Sequence, residues 1–444
     1  MLKNHYDSVI IGKGFISLLE ALKNAENKKS VLVIDDPRFQ TGSNQTDFIS
    51  DIELRFLTEI GVKYSLSELE QLQDVLSLRP YQLHGGGKSI LLGMGPHQNA
   101  RELWRKFAEF IPAESLKLLL AMNENDFNNW YNSEILRFTA ELKQSFAKGR
   151  PLKFNFQGPA FILDWIDNFK KWLNTSYKEE NSLDPRVLIH LSSSLFEDKI
   201  KKYLDDSEFP FYFLRWISPL YQVNNYQLGM MLERSLNSRG GDLKKTTIQD
   251  WQIHQNRLFH VLLSTFEGVI SMEETQIYGH LPEDAPFISQ TPHQIYQFAS
   301  VGDLSDEEIG SPHSMLELHF LTQAERLGGE RPLRYFVFNQ NGIRAFYPYA
   351  VMPGTRPEFS RELIYKDVVE DFARFHRPLQ KINFLPSRRQ ILQLEGQSEK
   401  EAFATHQWPL VLRSEVDRPV LAVHYEGPFK YQRFGIIGHL LSTL

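Results

Sequence analysis

The stretch VIIGKGFISLLEAL, Val9–Leu22, decides the fold. An apolar run ends at Gly12, a second glycine follows at Gly14, and Ser17 stands where the pattern G-x-G-x-x-G has its third glycine. Glycines in such a turn let the backbone approach a pyrophosphate, and the next helix presents unpaired N–H groups and the positive end of its dipole. The third position serves close helix–strand packing, which a small serine tolerates. The stretch predicts a phosphate-binding turn, with a merely structural glycine turn as the alternative.

The flanking residues complete a β-α-β unit. Asp7–Ile11 (DSVII) and Ser30–Asp36 (SVLVIDD) are short β-branched runs typical of buried strands, and between them an amphipathic helix is predicted from Gly14 to about Asn24. A dinucleotide site places an acidic residue at the end of the second strand, where it binds ribose hydroxyls. Asp35 occupies that position, so the unit has the order that dinucleotide binding requires.

Composition excludes several classes of function. The net charge is -6 and no long basic run occurs, which argues against a nucleic-acid-binding surface. The absence of cysteine excludes disulfides, thiolate nucleophiles and cysteinyl-linked cofactors. We find no signal-peptide pattern and no apolar run long enough to span a membrane, so we expect a cytoplasmic protein without an integral membrane segment.

The remaining chain alternates between helical and strand-rich regions. The periodicity predicts a hairpin within Ser65–Leu92, helices from about Ala100 to Leu204, and a helix ending at Arg239–Gly241 that is followed by three strands. Asn341-Gly342 predicts a second hairpin, because primed turns favour this dipeptide. A strand, a glycine loop and a helix starting near Gly435 close the chain.

Three other motifs support no chemistry of their own. His84–Ser89 (HGGGKS) lacks the first glycine of a P-loop, and no Gly-x-Ser-x-Gly elbow accompanies it, so a hairpin tip is the better interpretation. His313 and His319 are close together in sequence, but no cluster of carboxylate residues accompanies them, so no metal site is predicted. The aromatic stretch Phe209–Tyr221 suits a protein core better than a ligand pocket.

The chain resembles the two-domain FAD-dependent oxidoreductases of the amine oxidase and phytoene desaturase type, whose fold is shared by the Rab GDP-dissociation inhibitors. Three segments carry the resemblance: YDSVIIGKGFISLLEALKNAENKKSVLVIDD, GMMLERSLNSRGGDLKKTTIQDW and VLAVHYEGPFKYQRFGIIGHLLSTL. The first is similar to the family's ADP-binding unit. The second is similar to the segment that contacts adenine through the backbone, and the third to the closing strand and helix beside the ribityl and pyrophosphate groups.

The resemblance implies FAD as the cofactor and an α/β fold. The implied fold has a Rossmann-like FAD/NAD(P)-binding domain, made of residues 1–75, 222–285 and 405–444. An inserted mixed substrate domain of helices and antiparallel sheet comprises residues 76–221 and 286–404. The implied cofactor-binding residues are Gly12, Gly14, Ser17, Asp35, Gly42, Ile248, Gly427 and Gly435. Gly42 lies in Thr41-Gly42-Ser43, where the family often has Gly-Gly-Arg, and Glu426-Gly427 inverts the family's usual order.

The function implied is hydride transfer from an apolar or amine-bearing small molecule to the flavin. Because the flavin itself performs the hydride chemistry, few catalytic side chains are obligatory. No catalytic base is assigned, and the pocket candidates are Tyr335, Tyr347, Tyr349 and His319. Two alternatives stay open: a noncatalytic binding or chaperone-like protein with a degenerate cofactor site, favoured by the altered motifs at Thr41–Ser43 and Glu426, and a protein that uses NAD(P).

Overall fold

The computed structural model describes the greater part of the chain as far as residue 278 and a set of strands beyond it. The described ranges are 2–36, 48–78, 80–85, 88–148, 152–173, 209–254, 257–264, 269–278, 288–289, 293–300, 316–321, 334–339, 342–350, 384–390, 393–394, 410–413 and 419–424. Three predicted cofactor-binding residues, Gly42, Gly427 and Gly435, lie outside these ranges, as does the predicted closing helix.

The described strands are short and spread along the whole chain. In chain order they are β1 His5–Ile11, β2 Val31–Asp35, β3 Phe48–Ser50, β4 Leu76–Leu78, β5 Tyr81–Gly85, β6 Lys88–Leu92, β7 Leu220–Val223, β8 Asp242–Lys245, β9 Ile248–His254, β10 Arg257–Leu263, β11 Val269–Tyr278, β12 Ile288–Ser289, β13 His293–Ser300, β14 Leu316–Leu321, β15 Arg334–Asn339, β16 Gly342–Ala350, β17 Phe384–Gln390, β18 Gln393–Leu394, β19 Leu410–Arg413 and β20 Pro419–His424.

The described helices lie before β8. They are α1 Phe15–Glu26, α2 Asp51–Tyr64, α3 Pro96–Lys106, α4 Ala113–Ala121, α5 Glu124–Ala147, α6 Ala160–Leu173, α7 Phe209–Ile217 and α8 Asn225–Ser238, with 3-10 turns at Ser67–Val75 and Ala108–Phe110. No helix among these is both long and apolar enough to pass through a bilayer.

The main sheet contains five mutually parallel strands in the order β8-β2-β1-β11-β20. Numbered by their sequence among themselves, these strands run 3-2-1-4-5, which is the strand order of the Rossmann fold. The antiparallel strands β9 and β10 connect the third parallel strand to the fourth, and β19 pairs antiparallel with β20. The predicted α/β fold with a Rossmann-like sheet is thereby confirmed.

Burial explains why β1 and β2 occupy the centre of this sheet. Every residue of Val31–Asp35 is buried, as expected for a parallel strand covered on both faces. Helix α1 covers one face with an almost continuous buried surface that includes Leu18, Leu19 and Leu22. The apolar residues that predicted the β-α-β unit are therefore the ones that exclude water from it.

A second sheet of seven strands has the order β17-β13-β16-β15-β14-β5-β6. Its neighbouring strands are antiparallel except for β14 and β5, which are parallel. Both predicted hairpins belong to it: Gly85 pairs with Lys88 between β5 and β6, and Asn339 pairs with Gly342 between β15 and β16. The first pairing is as predicted. The second hairpin is also present, but Gly342 is the first paired residue of β16, so the register differs by one residue from a turn formed by Asn341-Gly342.

Helices α3 to α7 pack around a cluster of aromatic rings. Trp165 lies edge-on to Trp104 and to Phe213, with ring centroids 5.4 and 5.0 Å apart. All residues of α7 except Arg215 are buried. The aromatic stretch at Phe209–Tyr221 therefore contributes to the core of this helical region. This agrees with the interpretation of the stretch as part of a protein core.

One element count differs from the sequence prediction. After α8 the chain forms four strands, β8 to β11, instead of three. The difference arises at Thr246-Thr247, where the chain leaves the parallel sheet after only four residues of β8 and starts the antiparallel β9. The run Lys244–Thr247 has no apolar residue to mark where one strand ends and the next begins, so periodicity alone does not show the break.

Candidate functional site

The glycine turn lies between the end of β1 and the start of α1. Gly12 has a φ of +96°, a conformation that side-chain-bearing residues rarely adopt, and its N–H donates to the carbonyl of Ile34 at 2.9 Å. This bond holds the turn against the end of β2. The first helical N–H groups, at Phe15 and Ile16, have no acceptor within an α-helix and are the groups that bind anions at helix N-termini.

Ser17 stabilises the turn from inside. Its side chain is fully buried, its Oγ accepts from the N–H of Gly14 at 2.6 Å, and its hydroxyl donates to the Gly14 carbonyl at 2.9 Å. Serine therefore fits where the motif has a third glycine and also fixes the geometry of the second. Its role in the structure is to shape the turn.

Two consecutive carboxylates end the second strand. Asp35 and Asp36 are 4% and 0% exposed, respectively. The Asp35 carbonyl accepts from the N–H of Thr246 at 3.3 Å, and Oδ2 of Asp36 accepts from the N–H of Ile248 at 2.8 Å. The structure therefore brings Gly12, Asp35 and Ile248 to one edge of the parallel sheet. It adds Asp36, whose only sequence signal was its position next to Asp35.

A second unpredicted contact involves the turn itself. Lys13, between the two glycines, forms an ion pair with Glu233 of α8, and both side chains are partly exposed. The pair connects the turn to the helix that leads into β8. The sequence shows a lysine within the glycine turn, but it does not show the partner of this lysine, which lies more than two hundred residues away.

An arginine connects α8 to α1 at the C-terminal ends of the two helices. Arg239, at the end of α8, donates to Glu26 of α1 at 2.9 Å and to both carboxylate oxygens of Glu68 at 2.7 and 3.3 Å. Burial opposes ionisation of Glu68, but hydrogen bonds from Arg239 and Ser235 outweigh it and lower the pKa of Glu68. Burial lowers the pKa of Arg239 less than these two carboxylates raise it.

A tyrosine bridges across the parallel sheet. The hydroxyl of Tyr6 on β1 donates to Asp242 on β8 at 2.7 Å, passing β2, which lies between them. Burial is the main reason why the pKa of Tyr6 is raised to about 12. The hydrogen bond from the Lys3 amide lowers this pKa, and the Asp242 carboxylate raises it. A side-chain bond thus connects β1 to β8 in addition to the backbone pairing of both strands with β2.

The predicted substrate-pocket residues lie in the seven-stranded sheet. Tyr335 is on β15, Tyr347 and Tyr349 are on β16, and His319 is on β14. His319 pairs in register with His84, and Tyr347 with Tyr296. Among the described residues, no group of three or more His, Asp or Glu side chains is placed to hold a metal ion.

The fold and this site define an α/β protein with a Rossmann-like parallel sheet. No protein-family model matches the chain, and no curated protein does.

Several solved structures are similar over most of the chain. A peptidyl tryptophan dihydroxylase essential for tryptophylquinone cofactor biogenesis has 8% identity and a TM-score of 0.42, over 89% of this chain and 59% of that one. The p-nitrophenol 4-monooxygenase of Pseudomonas putida DLL-E4 has 9% identity and a TM-score of 0.46, over 100% of this chain and 78% of that one. The tryptophan 6-halogenase of Streptomyces toxytricini has 13% identity and a TM-score of 0.45, over 99% of this chain and 72% of that one.

Proposed function

We propose that the chain binds FAD across the carboxyl edge of its parallel sheet and acts as an FAD-dependent oxidoreductase. One observation carries the proposal: in the strand order β8-β2-β1-β11-β20, the end of β1, which leads into the Gly12 turn, is next to the end of β2, where Asp35 lies. Ligands of open α/β sheets bind outside the carboxyl ends of the strands, where the strand order reverses. The reversal in this sheet falls beside β1, which carries the glycine turn.

FAD is preferred to NAD(P) because of where the three resembling segments lie. The first forms β1, α1 and β2, the second contributes most of α8 together with β8, and the third begins with β20. Although widely separated in sequence, all three contribute strands to one sheet. The resemblance to FAD enzymes thus rests on segments that share a structural unit, which supports a common ligand.

The residues present fit such a cofactor. Gly12 and Gly14 leave room for a pyrophosphate beside the Phe15 and Ile16 amides, while Ser17 keeps the turn in shape. Asp35 binds the adenosine ribose. Gly42, Gly427 and Gly435, which lie outside the described residues, are proposed from the resemblance to let the backbone approach the cofactor, and Ile248 lies on the adenine side. When bound, the flavin supplies the hydride acceptor.

The proposed substrate is an apolar or amine-bearing small molecule held against the seven-stranded sheet. The aromatic residues Tyr335, Tyr347 and Tyr349 and the imidazole of His319 are its candidate contacts. Anaerobic mixing of the flavin-loaded protein with a panel of amines and apolar alcohols tests this, because a substrate bleaches the oxidised flavin. Tyr347→Phe should then change the rate of bleaching while leaving FAD affinity as it is.

Purified protein tests the cofactor directly. A yellow preparation that releases FAD on denaturation is the expected result. Tight binding of a nicotinamide nucleotide to a colourless protein would move the assignment to NAD(P). A colourless protein that also fails to take up added FAD would contradict the proposal and leave the noncatalytic alternative.

A further inference from the structure

The amide of Ile248 is bound by a side chain of the chain itself. It donates to Oδ2 of Asp36 at 2.8 Å, and the two residues are 212 positions apart. Asp36 is completely buried, and Ile248 is 1% exposed. An N–H bonded to a carboxylate is held about twice as strongly as one bonded to a neutral acceptor.

The strand order shows why this amide matters. A pyrophosphate at the Gly12 turn on β1 and a ribose at Asp35 on β2 define a direction, and the next strand in that direction is β8. The base of a bound dinucleotide therefore lies against the segment that leaves β8, which ends at Ile248. Adenine presents ring nitrogens as acceptors, for which a backbone N–H is a matching donor.

We propose that the Asp36 carboxylate competes with adenine for the Ile248 N–H and so lowers the affinity of the chain for adenine nucleotides. The inference rests on the proposed dinucleotide site. Asp35 and Asp36 then have opposite effects, since Asp35 binds the ribose and Asp36 occupies a donor that the base would otherwise use. Nucleotide binding requires either that Asp36 move away from this amide or that adenine bind without it, and both lower the affinity.

The replacement Asp36→Ala tests the competition with ADP as the probe. Removing the carboxylate leaves the Ile248 N–H buried without this acceptor, so the ligand-free variant should melt at a lower temperature than the wild type. ADP then supplies the acceptor, and its affinity in calorimetry should rise about tenfold. Inorganic pyrophosphate has no base, and its affinity should be unchanged. A purely structural role for Asp36 would instead weaken the binding of both.

Asp36→Asn retains an acceptor oxygen without the charge and serves if Asp36→Ala does not fold. Its affinity for ADP should rise by about threefold, because a neutral acceptor holds the amide less strongly. The inference is overturned if neither variant binds ADP more tightly than the wild type, or if pyrophosphate binding rises equally. If the wild type and both variants all fail to bind ADP, the dinucleotide site itself is wrong.

Discussion

At the scale of single residues, the positions of the candidate site differ in their physical roles. Gly12 adopts a backbone conformation that a side chain disfavours, and Ser17 fills a buried space while bonding both polar groups of Gly14. Asp35 and Asp36 are adjacent in sequence and both buried, and the Asp36 carboxylate accepts a hydrogen bond from the Ile248 amide. Substitutions at Gly12 and Ser17 should therefore change the conformation of the turn, whereas substitutions at Asp35 and Asp36 should change ligand affinity.

Replacing Asp35 tests the ribose contact. Asp35→Ala should weaken FAD or ADP binding by about 1–3 kcal/mol, the scale of a lost charge-assisted hydrogen bond. Asp167 is an exposed carboxylate of α6, and Asp167→Ala is the matched control that should leave affinity unchanged. Titration calorimetry measures both. An unaltered affinity in the Asp35 variant would remove this residue from the site.

At the scale of elements, the end of α8 determines how β8 enters the sheet. Gly240 has a φ of +78°, and a Cβ added there would meet nothing within 4 Å, whereas a Cβ on Gly241 would lie 2.4 Å from Cδ1 and 2.8 Å from Cγ of Leu236. The first glycine is thus required by backbone conformation, and the second by close packing on the helix that it terminates.

These two glycines should respond differently to substitution. Gly241→Ala should destabilise the fold by about 1–3 kcal/mol through overpacking, and Gly240→Ala by about 1–2 kcal/mol through backbone strain. Gly240→Asn should cost less, because asparagine tolerates this conformation. Denaturant unfolding gives the values. Adding Leu236→Ala should reduce the extra cost only of the Gly241 variant, and equal effects on both would refute the packing explanation.

The Arg239–Glu68 pair should make stability depend on acid. The pKa of Glu68 is lowered on folding from an ordinary value of 4.5, so its contribution is present above that value and is lost as the pH falls through the lower folded pKa. Glu68→Gln should therefore lower the free energy of unfolding at neutral pH by about 1.5–3 kcal/mol. Denaturant melts across this range should show the difference from wild type disappearing in acid. A constant difference would show that the charge is irrelevant.

At the scale of the whole molecule, local patterns were predictable and distant pairings were not. The β-α-β unit around Gly12 and the hairpin of β15 and β16 depend on neighbours in sequence, and both are present, although Gly342 lies in β16 and not in the turn. The break after β8 and the bond from Ile248 to Asp36 depend on strands that meet only in the folded sheet. Propensity and periodicity carry no information about such contacts. The sequence therefore indicated the elements that meet at the edge beside Gly12 but not the contact between Asp36 and Ile248.

Cofactor binding should stabilise the whole fold. A ligand that binds only the native state adds about 2.7 kcal/mol at a free concentration one hundred times its Kd. Thermal melts with increasing FAD should therefore move steadily to higher temperature. Riboflavin, which lacks the ADP portion, should produce much less shift. Equal shifts from both compounds would place the binding energy outside the Gly12–Asp35 edge.

The central pairing of the parallel sheet has a consequence for biosynthesis. β1 is complete at Ile11, but β11, its neighbour on one side, starts at Val269, and His5 aligns with Ser271. Until the ribosome has released that later segment, one edge of β1 lacks its partner strand and offers unpaired backbone groups to other chains. Sheets that depend on such distant contacts also fold slowly. The nascent protein should therefore be a strong client for chaperones that shield strand edges.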